Sequence, residues 1–206
     1  MAKKIFCMVL FAVMSAALSY AAPADISKSG QTTMSATEDD GELQKGIAWP
    51  GTRFTTNADT TVTDHLTGLV WAPNGNLMPT RDSDWDADDV ANDGKVTWQH
   101  ALDYVAKLNS ESYLVHTDWR LPNVNELESL MHAEYTKETA CSGPCASNSD
   151  WLNTQGFSNV SGGYYWMSTT CAVDTSNAWF IDTWRGYMGF DSKLDVLYVW
   201  PVRGGE

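Results

Sequence analysis

The stretch Thr117-Asp118-Trp119-Arg120-Leu121-Pro122-Asn123-Val124-Asn125-Glu126-Leu127 joins a strand end, a proline-fixed turn and a capped helix start in one run. Asn123 stands where a side-chain oxygen can accept from the free backbone N–H groups of a new helix. Glu126, three residues on, stands where a capping-box carboxylate reaches back. Val124, Leu127, Leu130 and Met131 keep a helical apolar spacing, so the phrase from Asp118 to Met131 predicts a helix entered from a strand. Arg120 is expected to pin the turn before that helix.

Upstream, Thr97 opens a second helix, in which Trp98, Ala101, Leu102, Val105 and Leu108 line one face. Earlier still, Arg53–Thr56, Thr60–Asp64 and Thr67–Trp71 are short β-branched runs separated by Asn, Asp and Gly, which predicts a hairpin. Arg81 to Gly94 is irregular and acidic, and Thr136 to Gly163 reads as loop. Strands return at Tyr164–Ser168, Ala178–Asp182, and around Tyr187–Phe190, where Gly186 and Gly189 punctuate the chain. Val196–Arg203 reads as one final strand, whose Pro201 suggests a sheet edge. Two helices set between β-rich ends make an α+β domain with short, mostly antiparallel strands.

The chain has 206 residues, and its first two dozen have a distinct character. Lys3 and Lys4 precede an uncharged apolar run, Ile5 to Leu18, followed by small residues up to Ala24. That is the layout of a secretory signal peptide over residues 1–24, too short in its apolar part to span a bilayer. Residues 25–46 are polar and poor in large apolar groups, which predicts a flexible leader. Residues 47–206 form the domain and hold all ten tryptophans. An exported protein without membrane insertion is expected.

Charge narrows the partners. The chain carries 13 Lys+Arg against 26 Asp+Glu, and removal of Lys3 and Lys4 leaves 11 against 26, or −15. Such a field disfavours nucleic acid and anionic lipid. Cations, neutral sugars and basic protein surfaces fit it better. Beyond Cys7, the cysteines are Cys141, Cys145 and Cys171, an odd number that suggests one bridge and one remaining thiol. Cys141-Ser142-Gly143-Pro144-Cys145 is one residue too long for a redox pair, so a loop staple or a bridge to Cys171 is expected.

Four phrases then line up in order: Val62-Thr63-Asp64 to Trp71; Thr97 to Leu102; Asp118 to Leu127; and Tyr165-Trp166-Met167-Ser168 through Asn177-Ala178-Trp179 to Pro201-Val202-Arg203. Together they resemble the bacterial DUF1566 family, also called the Lcl C-terminal domain after a Legionella collagen-like adhesin. The resemblance runs from about Phe54 to Arg203. More distantly, the pattern is similar to the C-type-lectin-like and formylglycine-generating-enzyme fold, which implies a compact α+β domain with two helices. The family resemblance implies an exported surface domain, adhesin-like in use. Trp200 replaces an Arg frequent in relatives, Met167 replaces a Ser, and no Gly-X-Y repeat precedes the domain. Trimerisation and binding of sulfated glycans are correspondingly weaker expectations.

Catalysis finds little support in the residues. His65, His100, His116 and His132 stand without a Gly-x-Ser-x-Gly elbow, and Cys171 has no close downstream partner for oxidase chemistry. A secreted or periplasmic enzyme acting on carbohydrate is the rival reading, and an assembly subunit of a surface complex, with an oligomer in view, a third. Asp82, Asp84, Asp86 and Asp88 alternate as ligands for a hard cation such as Ca²⁺ do. Ala87 occupies the position of the loop glycine and no closing Glu follows, so a solvated acidic loop is the preferred reading. Trp71, Trp98, Trp119, Trp166 and Trp179 belong to the core. Trp184, Arg185, Tyr187, Phe190, Asp191 and Lys193 alternate large aromatics with charges near glycines. They are the expected contacts for a glycan or a protein ligand, aromatic rings stacking on sugar C–H faces.

Overall fold

A computed structural model of the chain describes residues 26–86, 90, 92–135 and 146–204. The expected signal sequence, Asp88, Cys141 and Cys145 lie outside the described residues. Asn123 caps helix α4 (Val124–Glu128) as its sequence predicts. Its side chain accepts the Glu126 N–H while the Glu126 carboxylate accepts the Asn123 N–H. Arg120 pins the turn with two bonds to that same carboxylate at 2.7 Å and a third to the Gly204 carbonyl.

Two sheets carry the domain. Strands β1 (Phe54–Thr56), β2 (Val62–Asp64), β3 (Val70–Trp71) and β9 (Val202–Arg203) form an antiparallel sheet in that order. The second sheet runs β4 (Lys95–Val96), β8 (Leu197–Tyr198), β5 (Tyr164–Thr170), β6 (Asn177–Asp182), β7 (Tyr187–Ser192), with β5 and β8 parallel and the other pairs antiparallel. The mixed α and β composition is as expected.

The final run is not one strand. It divides at Val199-Trp200-Pro201 between the two sheets, because Pro201 has no N–H for a ladder and Trp200 is drawn inward. Fully buried, Trp200 packs on Trp71 of one sheet and Tyr165 of the other, with Phe157 beside it. The chain crosses from one sheet to the other at one of the core's largest side chains.

Five α-helices occur among the described residues rather than two, and only α3 (Trp98–Ser110) exceeds two turns. Ala101, Tyr104, Val105 and Leu108 form its buried face. Thr97 occupies the cap position without a side-chain cap bond, so the start of α3 rests on packing: Trp98 donates its indole N–H to the Met167 carbonyl at 2.8 Å. The remaining helices, α1 (Asp40–Leu43), α2 (Met78–Arg81), α4 and α5 (Asn148–Leu152), span four or five residues each. Trp71, Trp119 and Trp166 are buried as expected, whereas Trp98 and Trp179 are partly buried at the core's margin.

The leader differs from expectation. From Ile26 onward it is docked, with Ser27 bridging Ile47 in parallel and the Ala133 N–H donating to the Ser29 carbonyl at 3.0 Å. The Glu134 carboxylate accepts from the N–H groups of Thr32 and Thr33. Composition predicts disorder by counting apolar area, but this segment is held mainly by polar bonds that composition does not register. The Cys171 thiol is buried and free, which sets aside the expected bridge to Cys171; the alternative staple, Cys141–Cys145, lies outside the described residues.

Candidate functional site

The Asp182 carboxylate, buried at the end of β6, organises the turn that follows. It accepts the Trp184 N–H at 2.8 Å, the Arg185 N–H at 3.4 Å and the Arg185 guanidinium at 3.3 Å. Gly186, at φ +76°, closes the turn by donating to the Asp182 carbonyl at 2.6 Å. A side chain committed to the backbone at its own turn thus holds Trp184 and Arg185 outward.

Opposite lies Gly162-Gly163, just before β5. A Cβ at Gly162 would stand 2.5 Å from the Trp184 ring, and one at Gly163 would stand 3.0 Å from the Tyr198 ring. Both glycines are needed for space: two aromatic rings lie directly on the backbone there. Thr183 locks the arrangement by bonding the Ser161 carbonyl at 2.6 Å. Tyr164 stacks on Phe180 at 4.5 Å and shares a hydroxyl bond of 2.9 Å with Tyr187. That bond, more than burial, pushes the Tyr187 phenol up to about 12. Lys95 pairs with Asp93 and lies 5.3 Å from the centre of the Tyr198 ring.

These groups enclose a groove of about 510 Å³ at the sheet end, walled by Tyr164, Trp184 and Tyr198, with Lys95, Arg185 and Asp182 among its lining. Aromatic faces beside a few fixed polar groups suit a ligand with both apolar and hydrogen-bonding surfaces. Asp182→Ala is expected to leave the Trp184 and Arg185 N–H groups without their acceptor. That costs about 1–3 kcal/mol, lowering Tm by roughly 2–12 °C. Asp182→Asn keeps an acceptor and should restore most of the loss in calorimetry. Equal losses in the two variants would show that the turn does not depend on that acceptor.

The six expected contact residues do not form one surface. Trp184, 38 % exposed, and Arg185 line the groove, and Tyr187 joins it through Tyr164. Phe190 pairs with Trp179, while Tyr187 pairs with Asp182. Residues three apart on a strand point to opposite faces, so Phe190 faces away from Tyr187. Asp191 shares a hydrogen bond with Asp195, which raises the Asp195 carboxyl. Lys193 is committed elsewhere, 4.1 Å from the Trp98 ring centre and 3.0 Å from the Thr170 hydroxyl. Sequence reasoning missed Tyr164, Tyr198 and Lys95; the Gly-Gly-Tyr phrase at 162–164 was the available signal.

Among the described residues, the acidic loop does not gather its carboxylates at one point. Burial works against ionised Asp82, yet bonds from Lys107, Tyr104 and Arg81 hold its carboxyl below the usual range. Asp86 accepts the Gly94 N–H at 3.2 Å. No group of three acidic, His or Cys residues able to hold a metal occurs among the described residues, because Asp82 turns inward to α3. The histidines are dispersed: His65 meets Thr55, His100 the Trp85 carbonyl, His116 Asp59, and His132 the Trp49–Trp151 aromatic cluster.

A family model described as the Lcl C-terminal domain matches residues 60–203, well over half of the chain. No curated protein matches it.

Proposed function

Since the chain belongs to the Lcl C-terminal domain family, we propose that it is an exported recognition domain that binds a glycan or protein ligand at or beyond the bacterial surface. Binding uses the groove at the end of the second sheet and involves no catalysis. The observation that carries this reading is the pair of rings, Trp184 and Tyr198, laid against Gly162-Gly163 and flanked by Tyr164, Lys95 and Arg185. Family membership supports an adhesin-associated surface role. The absence of a chemical step is supported by Asp182, which is committed to its own turn, leaving the lining without a carboxylate poised for proton transfer. Export through residues 1–24 and a C-type-lectin-like use of the sheet end belong to the same reading.

A glycan array probed with residues 25–206, in calcium and again in chelator, tests it. Saturable binding to one sugar class is expected, insensitive to chelator because Asp82 is already paired. Trp184→Ala should weaken that binding by roughly 30-fold or more, the scale of an aromatic hot spot. Its Tm should move little, since Trp184 is partly exposed. A blank array under both conditions would move the ligand to a protein surface. Binding that survives Trp184→Ala unchanged would remove the groove from the proposal.

A further inference from the structure

A second groove, of about 420 Å³, lies on the other side of the Asp182–Gly186 turn. Gly186 forms part of its wall, together with Ile26–Ser29, Trp49, Glu128 and His132. The docked leader therefore faces the recognition turn across a small space. We propose that the segment Ile26–Trp49 is a strap, latched on the turn His132–Tyr135 and released by protonation of His132.

The latch has two parts. One is Glu134, whose carboxylate accepts from both the Thr32 and Thr33 N–H groups and from the Thr32 hydroxyl. The Thr32 backbone bond is foremost among the causes that bring this carboxyl down to about 2. Glu134 is thus ionised throughout the range in which a histidine titrates, and acid release near pH 6 must come from another group. The other part is His132. Its Nδ1 accepts the Glu134 N–H at 3.2 Å, so that nitrogen is unprotonated in the docked form. Its ring meets Trp49 edge-on at 4.9 Å and Trp151 at 5.0 Å. A Cβ at Gly30 of the strap would stand 2.9 Å from the imidazole. The strap backbone lies on the ring, and Trp49 returns a bond of 2.9 Å to the Lys28 carbonyl.

A proton on Nδ1 removes that acceptor and sets a cation in this confined place. Burial is the main force against it, and the Arg53 guanidinium adds to it; Glu134 alone favours the charge, and the balance lowers the His132 value. The charged and titratable groups around the ring are Glu134 and Tyr135 on its own turn and Arg53 beneath Trp49. The strap contributes Lys28 and Asp40, α4 contributes Glu128, and α5 contributes Asp150 beside Trp151. Because the docked value lies below the free one, docking is fully favoured above about pH 6.5, the ordinary histidine value. It weakens as pH falls through that value, by up to about tenfold per unit.

Amide hydrogen exchange on residues 25–206, as protection factors between pH 7.5 and 5, tests this. The wild type is expected to lose about tenfold or more protection at Thr32, Thr33 and Ala133, while amides of β5 and β6 keep theirs. His132→Phe should show protection that does not change with pH, and Glu134→Ala, which leaves the Thr32 and Thr33 N–H groups without their acceptor, should be released at every pH. Constant wild-type protection down to pH 5, or equal loss in His132→Phe, would overturn the strap. If His132→Phe fails to fold, His132→Gln, which cannot gain the proton, takes its place with the same expected result. Exchange needs no ligand, so a blank glycan array leaves this result standing. Conversely, a failed latch leaves Trp184 binding untouched.

Discussion

Asp64→Ala is expected to cost about 3–5 kcal/mol of stability and to lower Tm by roughly 6–20 °C. Asp64 is fully buried at the end of β2 and meets Arg53 through two parallel bonds of 3.1 and 3.0 Å. It also accepts the Leu66 N–H at 2.9 Å and the Thr67 hydroxyl at 3.2 Å. Arg53 is itself buried, lying 4.3 Å from the Trp49 ring centre and 4.7 Å from that of Phe54, and it donates to the Ser129 carbonyl. Removing the carboxylate strands a guanidinium away from water, and this uncompensated charge dominates the cost. A double variant, Arg53→Met with Asp64→Leu, should recover much of the loss by removing both charges together. Urea denaturation of the three proteins decides it; an Asp64→Ala protein within about 1 kcal/mol of wild type would show that Arg53 finds water or another partner.

Trp200→Ala should be nearly as damaging, by about 3–5 kcal/mol. The indole touches both sheets, with ring centres 5.5 Å from Trp71, 5.8 Å from Tyr165 and 5.0 Å from Phe157, and it donates to the Ala72 carbonyl at 2.9 Å. Few side chains could collapse into the space, because its neighbours are themselves large rings fixed in both sheets. Trp200→Phe should cost distinctly less, keeping most of the apolar contact while losing the N–H donor. Denaturation midpoints that rank Phe between wild type and Ala, at a constant slope, are the expected outcome. Equal midpoints for the Phe and Ala variants would place the effect in the hydrogen bond instead.

Legibility in this chain follows distance along it. The Asn123–Glu126 capping box was readable because every atom involved lies within four residues. The hairpin from Phe54 to Trp71 was readable for the same reason, its turns being marked by Asn, Asp and Gly. By contrast, Val196–Arg203 read as one strand because apolar periodicity is blind to which sheet a segment joins; only Trp71 and Tyr165, far apart in sequence, divide it. The candidate contact surface was half legible. Trp184 and Arg185 do line a groove, but Phe190 could have been set apart from Tyr187 by strand alternation alone. Tyr198 and Lys95 reach that groove from strands on the far side of β5, a placement that no local spacing encodes.

The sequence by itself determined the family, the α+β composition, the capped turn at Asn123 and the tryptophan-rich core, since each depends on bonds or periodicities within one element. Tertiary structure alone decided the crossing of Trp200 between two sheets, the docking of the leader and the walls of the groove. These rest on long-range pairings, Gly162 under Trp184, Gly163 under Tyr198 and Glu134 with Thr32 among them, whose energies appear only once the chain has closed on itself.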